Sequence, residues 1–459
     1  MGIILALWGF HRRCRLNTGL AKVAVQCSAD TFVVNQTLVL RINICGENRH
    51  LRQARKRCAI CQNPTNKTFI MKQIKYILGI LFLCFNSNLN AQQLNQPALD
   101  SIINQSKRTN SNVLLIYQNN KLVYKNYFNN PLQKIEAMSA TKSVVAIGVG
   151  ILLDKGFIDS LDQPVYTIYP EWKQGNKKLI TIRHLLEHTS GMQNVPNAGE
   201  EIEIAPDVIQ LALCAELDNI PGSTYSYNNK SSNLLAGIIE KTSKLKMDKF
   251  LDKYLFSELG IKNFSWRKDV KGNPYGMAGL QIYPEDFAKI GLLILNDGNW
   301  NEKQLISKLW INDMVKPSQA NKNYGYEWWL TYENMYYSFD DDLFATFKEK
   351  TDDNTFQLIT KLKGKYKGMK EVRDYAIKIY SQDELKSVGK VLQSIQPSQL
   401  KMVNEGELLN YAASGYLGQH LIIIPRKKIV VVRMITADNF NAIPNNSSME
   451  NLRELANEL

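Results

Sequence analysis

Ser139-Ala-Thr-Lys142, continued by Val144-Val-Ala-Ile-Gly-Val-Gly-Ile-Leu-Leu153 and stopped near Lys155-Gly156, is the stretch on which the fold turns. An interior apolar nearly all round predicts a buried helix from Ser139 to about Lys155. Serine and lysine three apart sit one above the other on such a helix, with roughly 5–6 Å between Cβ atoms. Burial of the lysine disfavours its charged form, so a neutral amine becomes available to accept the serine proton. The first turn of a helix also leaves backbone N–H groups free, which can hold a developing oxyanion. Those are the requirements of an activated serine nucleophile. The same four residues also fit a helix cap with a snorkelling lysine. The S-x-x-K pattern recurs at Ser243/Lys246, Ser265/Lys268, Ser387/Lys390 and Ser398/Lys401, in polar or short segments where surface residues are the simpler account.

Two further segments carry candidate chemistry. Tyr227-Asn228-Asn229 follows Pro221-Gly222 and precedes the helix-like Leu234-Leu-Ala-Gly-Ile-Ile239. A phenol can move protons when a cation lowers its pKa, and the Asn229 amide can orient a substrate. Ala413-Ser414-Gly415 precedes an apolar strand, Gln419 to Ile424. Small residues there let a substrate backbone approach a sheet edge, and the Tyr416 N–H is a candidate oxyanion donor. A plain glycine bend before a strand fits Ser414 and Gly415 equally well.

Outward from these motifs, the chain of 459 residues has 44% hydrophobic and 22% charged residues, which excludes a disordered or collagen-like protein. The formal net charge of +13 is confined to one end: residues 1–91 hold 13 Lys/Arg against 2 Asp/Glu. The remainder is nearly neutral and offers no surface for nucleic acid. Met71, Lys72 and Lys75, the apolar run Tyr76 to Phe85, and Leu89-Asn90-Ala91 have the layout of a secretory signal peptide over 71–91. The run is too short to span a bilayer, which needs about 20 apolar residues. A periplasmic or secreted protein is therefore expected, with Gln92 as its first mature residue and no stable membrane span. Residues 1–70 read as an upstream extension that is spurious or disordered. Cys58-Ala-Ile-Cys61 supplies only half of a structural zinc site. Beyond the leader one cysteine remains, Cys214, expected to be a small core residue.

The mature segment, 92–459, has strand signals at both ends. Residues 112–118 and 121–128 flank Asn119-Asn120, a hairpin signature. Gln419–Ile424 and Ile429–Met434 flank Pro425-Arg-Lys-Lys428. Helices dominate between them, and a last helix is expected from about Ser448 to Leu459. The fold class is therefore α+β, with a sheet from about 110–130 and 411–434, a helical lobe about 156–260, and helices segregated beside the sheet. From about 334 to 403 the stretches Asp340-Asp-Asp342, Thr351-Asp-Asp-Asn354 and Lys361 to Lys367 mark a charged insertion. It reads as solvated and partly helical, either a cap or a decorated surface loop. His184 and His188 lie four apart but not as H-E-x-x-H, so structural roles are expected, with no metal. Trp328-Trp329 and the tyrosines at 324 and 326 read as core packing. Gly-rich phosphate loops are absent, and no cofactor is expected.

In this order, Ser139-Ala-Thr-Lys142, Tyr227-Asn-Asn229 and Ala413-Ser-Gly415 resemble the motifs of the serine β-lactamase and penicillin-binding-protein superfamily. The class C β-lactamase-like branch, which includes esterases and 6-aminohexanoate-dimer hydrolases, is the most similar. Ile180 to Met192, Pro221 to Asn229, Gly279 to Lys289, Tyr324 to Trp329 and Ala413 to Gln419 extend the resemblance. It implies a mostly antiparallel sheet flanked by helices, with an inserted helical lobe and a site between them. It further implies a nucleophile Ser139, a base Lys142, a proton-shuttling Tyr227, Asn229 lining the site, and an oxyanion hole from the amides of Ser139 and Tyr416. Members acting on β-lactams or D-Ala-D-Ala peptides usually carry Lys or His where this chain has Ala413. The expected activity is thus a serine hydrolase acting on a small ester, amide or peptide-like substrate. A β-lactamase or DD-peptidase, or a non-catalytic penicillin-binding sensor, are the alternatives.

Overall fold

The structure is a computed structural model that describes residues 94–195, 197–395, 400–442, 449 and 451–459. The expected extension 1–70 and signal peptide 71–91 lie outside the described residues.

Helix α1 (Gln96–Arg108) leads into strands β1 (Val113–Gln118) and β2 (Lys121–Asn126). Asn119 and Asn120 both take positive φ, 51° and 63°, as a two-residue hairpin turn with right-handed twist requires. The sheet is completed by β3 (Trp329–Phe339), β4 (Gly364–Tyr366), β5 (Lys401–Gly415), β6 (Gln419–Ile424) and β7 (Ile429–Met434). Its seven strands run in the order β2-β1-β7-β6-β5-β3-β4 and every pairing is antiparallel.

The long apolar runs of β6 (Leu421–Ile424) and β7 (Ile429–Val432) follow from their central place. Leu421, Ile423, Val430 and Val432 enter the main core on one face. Ile422, Ile424, Ile429 and Val431 join Leu99 and Ile102 of α1 and Leu452 and Ala456 of the last helix (Leu452–Ala456) on the other. A strand buried on both faces reads as a continuous apolar run rather than an alternation. The edge strand β2 keeps Lys121 and Lys125 instead, which discourages further pairing.

On the main-core face lie helices α2 (Thr141–Asp154), α3 (Asn229–Ser243) and α4 (Pro284–Leu295). Residues 156–260 contribute α3 and the shorter helices Ile182–Leu186, Val208–Cys214 and Met247–Leu251. A small sheet of Ile135–Glu136, Ser265–Trp266 and Leu280–Ile282 delivers the chain to Ser139.

The charged segment 334–403 is partly helical, and it is less solvated than its composition suggests. It contains helices Asp341–Ala345, Asp353–Thr360, Met369–Ile379 and Gln382–Ser394 around β4. Phe339, Phe344, Leu358, Leu362, Val388 and Leu392 form an apolar core of its own there. The mixed charges occupy the outer faces of amphipathic helices and conceal that core in the composition. Cys214 also differs: it is exposed at the end of its helix, with Gln210 Nε2 donating to its Sγ at 3.2 Å. Among the described residues no helix is long and apolar enough to cross a membrane.

Candidate active site

Ser139 sits in a 3-10 turn, Met138–Ala140, immediately before α2, so the helix proper begins two residues later than the sequence suggests. Met138 holds φ at 49°, a costly conformation for a residue with a side chain, and such strain is sustained only where the surroundings enforce it. The turn is fixed from outside: Ala137 donates its N–H to Leu280 O of the small sheet at 2.8 Å.

Lys142 follows one turn later, 1% exposed. Its Nζ lies 3.2 Å from Ser139 Oγ and 2.8 Å from Met277 O. Burial pulls the Lys142 pKa down to about 8, although the Glu327 carboxylate acts in the opposite sense. An amine of that basicity is substantially neutral near pH 8. One N–H then goes to Met277 O, and the lone pair can face the serine hydroxyl.

Tyr227 joins these two groups from far along the chain. Its phenol faces the Ser139 side chain closely enough to be influenced by it, and Lys142 Nζ lies 4.9 Å from its ring centroid. The backbone on either side is strapped to one turn: Ser226 N–H donates to His188 O at 2.8 Å, and Asn228 N–H to His188 Nδ1 at 3.1 Å. The expectation that a cation lowers the Tyr227 pKa is not met. Burial, reinforced by Glu327 and only partly offset by the Ser139 side chain, raises it above the ordinary phenol value. The ring is therefore a neutral phenol, suited to relaying a proton rather than abstracting one unaided.

Asn229 stands apart from this cluster. It is the first residue of α3, and its Oδ1 is buried with no hydrogen-bond partner. Its neighbour Asn228 caps the helix, accepting from Lys230 N–H at 3.0 Å and donating to Met192 O at 2.9 Å.

Above the cluster opens a cavity of about 650 Å³ whose walls include Ser139, Tyr227, Trp329, Ser414, Tyr416 and Arg453; Asn229 is not part of its lining. Trp329, expected in the core, instead stacks on Tyr227 with centroids 5.9 Å apart. Ser414 and Gly415 end β5, a strand of 15 residues that begins well before the expected 411. Ala413 is fully buried in the main core, so β5 brings no cation to the cavity. Ser414 Oγ lies 3.1 Å from His420 Nδ1. Burial, with Arg433 and Arg453 nearby, lowers the His420 pKa to about 3, so its ring is neutral. The cavity nonetheless has a cation that the sequence did not reveal: Arg453, from the last helix, lies 5.6 Å from the Trp329 ring centroid.

Gly415 brings the third motif to the first. A Cβ there would lie 2.5 Å from Ala137 O and 3.0 Å from the N atoms of Ser139 and Ala140. Only glycine lets the strand end pass this close to the Ser139 turn, and Tyr416 N follows directly. Gly415→Ala is expected to lower kcat on an ester by roughly 10²-fold, the scale of a lost oxyanion donor. Steady-state kinetics beside a melting curve would check it.

Arg433 backs this corner. Fully buried, it donates to Leu417 O and Gly418 O at 2.7 Å each, and to Ser111 Oγ at 2.8 Å and Thr109 O at 3.1 Å. It thereby fixes the turn after Tyr416, where Leu417 has φ of 69°.

His188 and Glu327 had no assigned chemistry in the sequence. His188 Nε2 lies 2.9 Å from Glu327 Oε2, and both side chains are fully buried. His184 is elsewhere occupied, its Nδ1 accepting Thr181 N–H at 3.3 Å in a capping box. Among the described residues no group of three or more His, Cys, Asp or Glu is placed to hold a metal.

Comparison with known proteins accords with this architecture. The chain is 27% identical to Beta-lactamase-like protein 2 of Dictyostelium discoideum over 46% of its own length and 44% of that protein. It spans less than half the length of the curated relatives it matches first. Among solved structures, a protein assigned as a 6-aminohexanoate-dimer hydrolase from Bacillus anthracis superposes with a TM-score of 0.53 at 17% identity, covering 78% of this chain and 82% of the other. An octameric penicillin-binding protein homologue from Pyrococcus abyssi gives 0.50 at 18% identity, over 75% and 74% of the two chains. With the Beta-lactamase family model matching residues 99–449, and a seven-stranded antiparallel sheet that places helices on both faces, the chain belongs to the Beta-lactamase family.

Proposed function

We propose that this protein is an exported serine hydrolase that cleaves an ester or amide through an acyl-enzyme on Ser139. The observation that carries this is Lys142 Nζ at 3.2 Å from Ser139 Oγ, on an amine whose pKa burial lowers to about 8. Ser139 Oγ attacks the carbonyl carbon while its proton passes to Lys142. The carbonyl electron pair moves onto oxygen, facing the amides of Ser139 and Tyr416. As the tetrahedral species collapses, the bond to the leaving group breaks, and the proton returns to that group through the Tyr227 phenol. Water repeats the sequence on the acyl-enzyme and releases the acid. Ser414 and Gly415 line the path of the substrate.

Neutral esters and amides are the first substrate class, because Ala413 is buried and uncharged. One observation favours a second reading, cell-wall-type substrates with a free carboxylate: the Arg453 guanidinium at the cavity wall.

The test is a fluorophosphonate adduct located by peptide mass spectrometry. A label on Ser139, absent from Ser139→Ala, is the expected result. Ester turnover that persists in Ser139→Ala with no adduct would overturn the proposal. A panel of short-chain esters, D-amino-acid amides and a chromogenic cephalosporin separates the two substrate classes. The signal-peptide reading predicts secreted material that starts at Gln92, which N-terminal sequencing checks.

A further inference from the structure

Beneath Tyr227 lies a fully buried carboxylate that no step above uses. Glu327 accepts from Ser232 Oγ at 2.7 Å and from Tyr324 OH at 2.8 Å, and faces His188 Nε2 at 2.9 Å. His188 Nδ1 accepts the Asn228 N–H, which leaves Nε2 as the ring nitrogen beside the carboxylate. The backbone of Glu327 is left-handed, with φ of 58°, a conformation that costs a side-chain-bearing residue and favours glycine. Its carbonyl oxygen accepts Ser143 Oγ at 2.6 Å, which ties it to the residue after Lys142. Its partners in turn grip Tyr227: the His188 ring centroid is 4.6 Å and the Tyr324 centroid 6.2 Å from that of Tyr227. Lys142 Nζ lies 4.9 Å from the same ring.

We propose that Glu327 is a positioning residue whose negative charge stabilises the ammonium formed on Lys142 when Ser139 attacks, while its hydrogen-bonded partners hold the Tyr227 ring. The proposal rests on the serine-hydrolase function above. A charge fixed before the reaction and facing a group that becomes charged during it acts at full strength in a water-excluded site. Apolar packing alone does not account for a carboxylate here, since burying one is unfavourable unless donors and charges compensate.

The titratable groups that face this carboxylate are Lys142 from α2, His188 from the turn after helix Ile182–Leu186, Tyr225 and Tyr227 from the approach to α3, and Tyr324 from its own segment. All three phenols are pushed up, first by burial and then with a contribution from Glu327, so they stay neutral. Burial also acts to raise the Glu327 pKa, but His188, Lys142 and Ser232 outweigh it and the net shift is downward, which keeps the charge on at neutral pH. Set beside Glu327 and the three phenols, Lys142 is thus the group that exchanges a proton near pH 8.

Removing the negative charge makes Lys142 easier to deprotonate, so the acid limb of the pH profile moves to lower pH. It also removes the stabilisation of the ammonium, so the plateau falls. The rate of fluorophosphonate labelling of Ser139, followed against pH in the full chain, reads both. Wild type is expected to rise with a midpoint near 8. Glu327→Gln should move the midpoint down by about one unit and lower the plateau by roughly tenfold, whereas Glu327→Asp, which keeps the charge, should retain the wild-type midpoint. Should Glu327→Gln not fold, Glu327→Gly relieves the left-handed backbone and is expected to show the same acidward shift. A folded Glu327→Gln or Glu327→Gly with an unmoved midpoint overturns the role of Glu327 and leaves the hydrolase function standing. Wild-type Ser139 that takes no label at any pH sinks both.

Discussion

Lys142→Met is expected to lower kcat on an activated ester by about 10⁴-fold, the upper range for loss of a general base, with KM nearly unchanged. Methionine has similar length and packs well in an apolar site, so the helix keeps its place. Met277 O loses a donor, at a cost of about 1–3 kcal/mol for a buried acceptor. Against this, the variant no longer buries an amine whose pKa is depressed from 10.5 to about 8. The melting temperature should therefore move little while turnover collapses. The wild-type profile of kcat/KM should climb with pH to a plateau, with an apparent pKa near 8, because the amine must lose its proton before it can take one from Ser139. Lys142→Met should lack that limb. Retention of the limb in the variant would assign it to another group.

Arg433→Met is expected to produce the largest loss of stability, about 3–5 kcal/mol, because several buried acceptors each lose their donor at about 1–3 kcal/mol. Five acceptors on four residues converge on this guanidinium: the carbonyls of Thr109, Leu417 and Gly418 and the hydroxyls of Thr109 and Ser111. Methionine fills part of the volume and leaves those carbonyls dry and unpaired. Because two of them belong to the turn after Tyr416, kcat should fall along with the urea midpoint. Full stability in Arg433→Met would show that water replaces the guanidinium and that the turn needs no such brace.

The hairpin at Asn119-Asn120 was legible because asparagine tolerates the left-handed backbone the turn needs. The buried helix after Ser139 was legible because ten consecutive small and apolar residues leave no polar face, as was the proximity of Lys142, fixed by helical pitch alone. Local pattern failed where distance along the chain had to be bridged. Nothing in Tyr324-Gly-Tyr-Glu-Trp-Trp329 says that Glu327 turns inward to His188, although a lone acid in an aromatic run is a signal that could have been followed. Arg453 was unreadable as a cavity residue because only the docking of the last helix brings it beside Trp329. The Tyr227 phenol was expected to be acidified by a cation. The base beside it is itself buried, with its pKa lowered to about 8, and desolvation of the phenol decides instead. In the charged 334–403 segment, composition averaged over amphipathic helices hid a one-sided apolar stripe, visible only at helical period.

The separate apolar cluster of that segment has a consequence for proteolysis. Phe339, Leu362, Val372 and Val388 pack among themselves, while the groups around Ser139 draw on another cluster altogether. The helices of such an annex can open locally ahead of the core that surrounds the hydroxyl–amine pair. A protease should therefore nick the helices of the annex long before it reaches the central strands β6 and β7.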